Sequence, residues 1–150
     1  MAAKPVLVLN GPNLNMLGVR EPDKYGSAIL KDVEALCVRA GKENGVSVEC
    51  RQSNDEGELI SLVQAARSAN SAIVINAGGY SHTSVALLDA LTLSELPVIE
   101  VHITNIHARE PFRHVSLLSQ AAKAVICGCG VDGYAYAMQT AAKLIKKEIK

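Results

Sequence analysis

Residues 5–26 read PVLVLNGPNLNMLGVREPDKYG, and the fold is read outward from them. Val6 to Leu9 is a short apolar run, the pattern of a strand buried on both faces. It stops at Asn10-Gly11-Pro12-Asn13, a composition that turns the chain. A long polar loop follows, carrying Arg20, Glu21 and Tyr25. A strand that empties into a loop with a cation and a phenol is a place for proton transfer. An ordinary phenol has a pKa of about 10, so only about a thousandth is ionised at neutral pH. A guanidinium held beside it favours the phenolate and lowers that value by about 1–3. The plain alternative is a solvated loop with a chance Arg and Tyr, and the rest of the chain must decide.

The strand pattern recurs, alternating with helices. Ser27 is expected to cap a helix with apolar positions Ile29, Leu30, Val33, Leu36, Cys37 and Ala40, stopped by Gly45. Strand two is expected at 46–51. Gln52-Ser53-Asn54-Asp55 turns into a second helix with Leu59, Ile60, Val63 and Ala66 on one face. Strand three is expected at 72–75 and a third helix at about 83–93, after Asn76-Ala77-Gly78-Gly79. Strand four is expected at 97–101. A polar stretch from His102 to Arg113 and a short helix lead to strand five, Ala124–Cys127, and a last helix over 132–149. Five apolar strands alternating with amphipathic helices predict a parallel sheet covered on both faces. Ligands in such sheets bind outside the carboxyl ends of the strands, where strand order reverses. Those ends carry Asn10 and Asn13, then Asn76 with His82 beyond it, then Glu100 and His102 with Thr104 and Asn105.

The 150 residues suit one domain with a real core. At 49% hydrophobic and 20% charged, the chain is composed to fold. Fifteen basic residues balance fifteen acidic ones, which removes a global electrostatic case for nucleic acid or an anionic membrane. No apolar run reaches spanning length and no secretory leader is visible, so a cytoplasmic protein is expected. Cys37, Cys50, Cys127 and Cys129 lack the C-x-x-C spacing of a zinc site and read as free thiols. His102, His107 and His114 are spaced by five and seven, unlike a helical metal-binding pair.

Gly128-Cys129-Gly130-Val131-Asp132-Gly133 matches G-x-G-x-x-G between a strand and a helix. Only seventeen residues follow, too few for the second strand that would supply the acidic ribose ligand of a dinucleotide unit. The glycines are expected to make a tight strand-to-helix turn instead. Gly78-Gly79-Tyr80-Ser81-His82-Thr83-Ser84 precedes a helix and could present amides to a small polar ligand, but lacks the lysine of a phosphate loop. Arg109 and Arg113 offer partners to a carboxylate, with ordinary surface charge as the alternative.

Together, NGPNLNMLGVREPDKYG, QSNDEGELI, INAGGYSHTSVALLDAL, PVIEVHITNIHAREPFRHVS and ICGCGVDGY resemble, in order and spacing, the type II 3-dehydroquinate dehydratases. The likeness runs nearly end to end. It implies a flavodoxin-like three-layer α/β sandwich with five parallel strands in the order 2-1-3-4-5, a single catalytic domain over 1–150. It implies reversible elimination of water from 3-dehydroquinate to 3-dehydroshikimate through an enolate, in aromatic amino acid biosynthesis or in quinate breakdown. No metal or cofactor is implied, and the assembly implied is a homododecamer of four trimers. By position, Tyr25 resembles the general base, Arg20 the arginine that favours its phenolate, and Asn13 the residue that holds a water at the enolate oxygen. His102 resembles the general acid, steered by Glu100. Asn76, Gly78, Gly79, His82, Ile103, Thr104 and Arg113 match substrate-binding positions, and Asp89 one that reaches a neighbouring subunit's site. The loop 18–26 is expected to open and close over the substrate. Leu88 replaces an arginine common at that position, and Thr104 replaces a common serine while keeping its hydroxyl. The rivals are a non-catalytic flavodoxin-like module that binds a flavin and a Schiff-base dehydratase with a desolvated lysine.

Overall fold

The computed structural model describes residues 3–19, 23 and 26–150. Its strands are β1 (Val6–Asn10), β2 (Val48–Gln52), β3 (Ala72–Asn76), β4 (Val98–His102) and β5 (Ala124–Cys127). The longer helices are α1 (Leu30–Glu43), α2 (Glu56–Ala69), α4 (Val85–Ser94) and α5 (Asp132–Ile145), with a single helical turn, α3 (Tyr80–Thr83), before α4. All strand pairs are parallel and their order is β2-β1-β3-β4-β5. This is the flavodoxin-like order, and the sheet reverses between β1 and β3.

Side chains of a strand alternate between faces, so β1 feeds two cores. Val6 and Val8 pack with Val33, Cys37, Tyr134 and Met138 under α1 and α5. Leu7 and Leu9 pack with Leu59, Val63, Leu87 and Leu91 under α2 and α4. β1, β3 and β4 are buried along their whole length, whereas the residues of the edge strand β2 alternate between half-buried and exposed. The two-faced burial is why Val6–Leu9 and Ala72–Ile75 are continuous apolar runs, while β4 breaks the pattern at Glu100 and His102.

The helix starts follow capping chemistry. Asp55 accepts the Glu58 N–H at 2.8 Å to open α2, and Ser84 accepts the Leu87 N–H at 2.9 Å to open α4. α1 starts later than Ser27: Ile29 flanks it, and the Asp32 carboxylate closes the first turn by accepting the Ile29 N–H at 2.9 Å. The expected third helix starts at Val85 rather than at about 83, because Ser84 is extended and acts as its cap. α5 stops at Ile145, short of the expected 149.

Two loops meet at the reversal point. A side chain carbon on Gly11 would lie 2.6 Å from the Ala77 carbonyl oxygen. Backbone this close admits only glycine. Gly79 has nothing within 4 Å of the same position. Gly11→Ala is therefore expected to cost about 1–3 kcal/mol through overpacking, while Gly79→Ala stays within about 0.5 kcal/mol. Chemical denaturation of the two variants beside the unaltered chain checks this, and equal midpoints for all three would contradict it.

Candidate active site

A cleft opens at the carboxyl ends of β1, β3 and β4. Its walls include Asn13, Asn76, Gly78, Gly79, His82, His102, Ile103, Thr104 and Arg113. Pro12, Leu14, Leu17, Ile106 and Arg109 complete them. The cleft sits at the sheet's reversal point, where the alignment of Asn10 with Asn76 across β1 and β3 brings polar strand ends together.

The acid–base wall is built on β4. Glu100 and His102 are two apart in a strand, so both project from one face. Glu100 is fully buried and His102 is 5% exposed. The His102 Nε2 hydrogen bonds to Glu100 Oε2, and Ser119 donates its hydroxyl to Glu100 Oε1 at 2.6 Å. A carboxylate can only accept, so Nε2 carries the proton in this arrangement. Burial pushes the Glu100 carboxyl up. Hydrogen bonds from His102, Ser119 and Ser116, with the nearby His102 ring, outweigh that and hold it below its ordinary value. His82 stacks on His102 with ring centroids 6.3 Å apart. Its Nδ1 donates to the Val115 carbonyl at 2.8 Å, which fixes that ring as well.

The floor is a buried amide–phenol chain. The Gly78 N–H donates to Asn76 Oδ1 at 3.2 Å. Asn76 Nδ2 donates to the Tyr134 hydroxyl at 2.9 Å, and that hydroxyl donates to Asn10 Oδ1 at 2.6 Å. The first bond sets which way the Asn76 amide points, since a backbone N–H only donates. Burial raises the Tyr134 phenol far above its ordinary value, so it stays neutral and serves as a relay of orientation.

Glycines behind β4 hold its carboxyl end in place. Gly128 and Gly130 take left-handed φ of 86° and 63°. Their N–H groups donate to the His102 carbonyl at 3.3 Å and the Ile103 carbonyl at 3.0 Å. The G-x-G-x-x-G stretch is the turn between β5 and α5.

Two arginines face the third side. Arg109 donates to the Thr104 hydroxyl at 3.2 Å. Arg113 Nε donates to Glu110 Oε2 at 2.7 Å, and the pair holds the Glu110 carboxyl down. Asp89 lies on the exposed face of α4, outside the residues that line this cleft. Arg20 and Tyr25 lie outside the described residues. Sequence reasoning missed Ser119 and Tyr134, and left Arg109 as surface charge. Tyr134 sits inside the ICGCGVDGY block, the only signal for it; nothing in the sequence marks Ser119. Among the described residues no group of three or more His, Cys, Asp or Glu is placed to hold a metal ion. None of their helices is long and apolar enough to cross a membrane.

A carboxylate-backed imidazole at the reversal point of this sheet defines a flavodoxin-like α/β protein equipped for acid–base chemistry on a small polar molecule. The family profile described as Dehydroquinase class II matches residues 4–142, and the chain belongs to that family. It is 57% identical over 145 residues to a 3-dehydroquinate dehydratase of Streptomyces coelicolor, covering 96% of this chain and 92% of that one. It is 60% identical over 137 residues to a 3-dehydroquinate dehydratase of Nitrobacter winogradskyi, covering 91% and 88%. The crystal structure of type II dehydroquinase from Propionibacterium acnes superposes with a TM-score of 0.90 at 42% identity, covering 94% of this chain and 97% of that one.

The Glu100 carboxyl, held low, contributes stability that is complete above its unfolded value of about 4.3 and is lost as pH falls through the depressed folded value. Ser119→Ala removes one donor to that charge and is expected to cost about 1.5–3 kcal/mol near neutral pH. The deficit should shrink as acid protonates Glu100. Denaturation curves of both proteins across the acid range measure it, and a deficit that ignores pH would show that Ser119 does not act on the carboxylate.

Proposed function

We infer that this chain is a 3-dehydroquinate dehydratase, a hydro-lyase that reversibly removes water from 3-dehydroquinate to give 3-dehydroshikimate in the shikimate pathway. The observation that carries the reading is the buried Glu100–His102 pair beside a cleft whose other walls supply amides and arginines, in a chain of this family. Elimination beside a ketone needs a base for the alpha proton, a place for enolate charge and an acid for the departing hydroxyl.

We assign the acid to His102. Glu100 orients its ring and compensates positive charge there, and Ser119 keeps Glu100 ionised. Asn13 also lines the cleft and serves the enolate oxygen, directly or through a water. Asn76, His82, the Gly78–Gly79 amides and the Ile103–Thr104 segment hold the ring hydroxyls and carboxylate. Arg113 is the carboxylate's cation: a substrate carboxylate would replace Glu110 as its partner. Tyr25 is the base and Arg20 its activating cation, roles that rest on the sequence likeness. Leu17 lines the cleft, and a side chain on Gly18 would meet Ile29 Cγ2 at 2.9 Å.

The same reading makes residues 1–150 one catalytic domain acting in the cytoplasm, and it makes the assembly a dodecamer. α4 exposes Val85 and Leu93 at 58% and 66%, on the helix that carries Asp89. Apolar side chains this bare fit a subunit contact that would bring Asp89 to a neighbour's site. Light scattering of the purified chain tests for twelve copies. The flavin-binding alternative is not favoured by the family, and no lysine is among the described residues that line the cleft.

Mixing the protein with 3-dehydroquinate should produce the ultraviolet absorbance of a conjugated enone. Tyr25→Phe is expected to lower kcat by at least about 100-fold, the low end for loss of a general base, with circular dichroism unchanged. Near-normal turnover by that variant would remove the assigned base. Arg113→Ala should instead raise KM through the lost charged contact, and an unchanged KM would place the carboxylate elsewhere.

A further inference from the structure

Asn54 is exposed and does not line the cleft, yet three loops of the site meet on it. Its Oδ1 accepts the backbone N–H of Asn13 at 3.0 Å and Gln52 Nε2 at 3.1 Å. Its carbonyl accepts the Tyr80 hydroxyl at 3.1 Å. Gln52 Nε2 also reaches the Gly11 carbonyl at 3.1 Å, on the turn that leads into Asn13. The loops after β1, β2 and β3 are thereby tied at one residue.

Asn13 needs such a tie. Its φ of 71° is left-handed, a conformation that a residue with a side chain adopts at a cost. Asn13 is the N-cap of the turn Leu14–Met16, and its own side chain makes no capping hydrogen bond there. Its N–H is held from outside its own loop, by the Asn54 amide oxygen.

We propose that Asn54 is a positioning residue for Asn13: it clamps the left-handed backbone that aims the Asn13 side chain at the reacting oxygen. The proposal rests on the dehydratase reading, in which that oxygen gains charge on the way to the enolate. Contacts that strengthen only in the transition state act on kcat, and a small misplacement of such a group costs up to about 100-fold. All three bonds to Asn54 end on its oxygens, and its side-chain nitrogen takes part in none of them. A carboxylate at this position therefore keeps the clamp.

The test compares Asn54→Ala and Asn54→Asp with the unaltered protein, by turnover of 3-dehydroquinate and by hydrogen exchange of the peptide that contains the Asn13 amide. Asn54→Ala should lower kcat by about 10–100-fold, with KM within about twofold and faster exchange at Asn13. Asn54→Asp should restore kcat to within about threefold and restore protection; kcat is the quantity compared because the added charge can itself alter KM for an anionic substrate. Unchanged kcat in Asn54→Ala, a loss confined to KM, or an aspartate variant as impaired as the alanine variant would each overturn the proposal. An unaltered protein inactive on 3-dehydroquinate would instead sink the dehydratase reading, and the exchange measurement would still decide whether Asn54 clamps Asn13.

Discussion

A carboxylate with no exposure to water is the constraint around which this site is organised. Burying an ionised Glu100 costs several kcal/mol unless its oxygens are hydrogen-bonded. One oxygen takes the His102 ring and the other the Ser119 hydroxyl, from the short turn Leu117–Gln120. That turn packs on α3 and α4, so the chain between β4 and β5 folds back to satisfy one buried group. The arrangement is directional. Glu100 faces the side of the sheet covered by α2 and α4, as Val98 does, and the two-residue strand period brings His102 out on that side at the strand's end. An imidazole with one nitrogen bound to a fixed anion has its ring plane set before any ligand arrives. Such preorganisation is what makes a proton donor effective at a stated place.

The second requirement is that strand ends from different parts of the chain lie level. Parallel register does this: Asn10 stands between Gln52 on β2 and Asn76 on β3. Each then has a separate task. Gln52 holds the turn after β1, Asn76 floors the cleft, and Asn10 accepts from the Tyr134 hydroxyl that aligns Asn76. Gly11 and Gly78 allow the loops after β1 and β3 to press together, with a Gly78 side chain excluded both by its left-handed φ of 58° and by the Pro12 carbonyl at 3.0 Å. The reversal point is thus closed by backbone and lined by amides.

Much of this was legible from the chain. Continuous apolar runs at Val6, Ala72 and Val98 announced buried parallel strands because both faces are covered, and the strand ends placed Asn13, Asn76, Glu100 and His102 on one edge. The boundaries were less legible where local chemistry competes. Ser27 has the composition of a cap, but the Asp32 carboxylate three residues past Ile29 closes the helix first. Ser84 moves the start of the third expected helix two residues on, to Val85, because its hydroxyl is positioned to cap Leu87. Ser119 and Tyr134 were invisible for a different reason: their importance depends on burial beside one particular partner far along the chain, which periodicity does not encode. Arg109 looked like surface charge because its neighbours are charged too, and only the fold turns it toward Thr104. The loop segment with Arg20 and Tyr25 was read by likeness, and their place in the geometry rests on that reading.

The glycine stretch 128–133 shows why a motif must be read with its hydrogen bonds. A phosphate cradle needs backbone N–H groups that point outward and lack internal partners. Here the Gly128 and Gly130 N–H groups donate to the carbonyls of His102 and Ile103, and the Gly133 N–H donates to Gly130. The same left-handed glycines that could have bound an anion instead bind the backbone at the end of the strand that carries Glu100 and His102. A side chain on Gly128 would come within 3.2 Å of Asn105 Cβ, so the loop must stay bare for β4 and its following segment to sit this close. The stretch therefore acts on the chemistry at one remove, holding the backbone from which Glu100 and His102 project, and with its amides so engaged it presents no cradle for a dinucleotide.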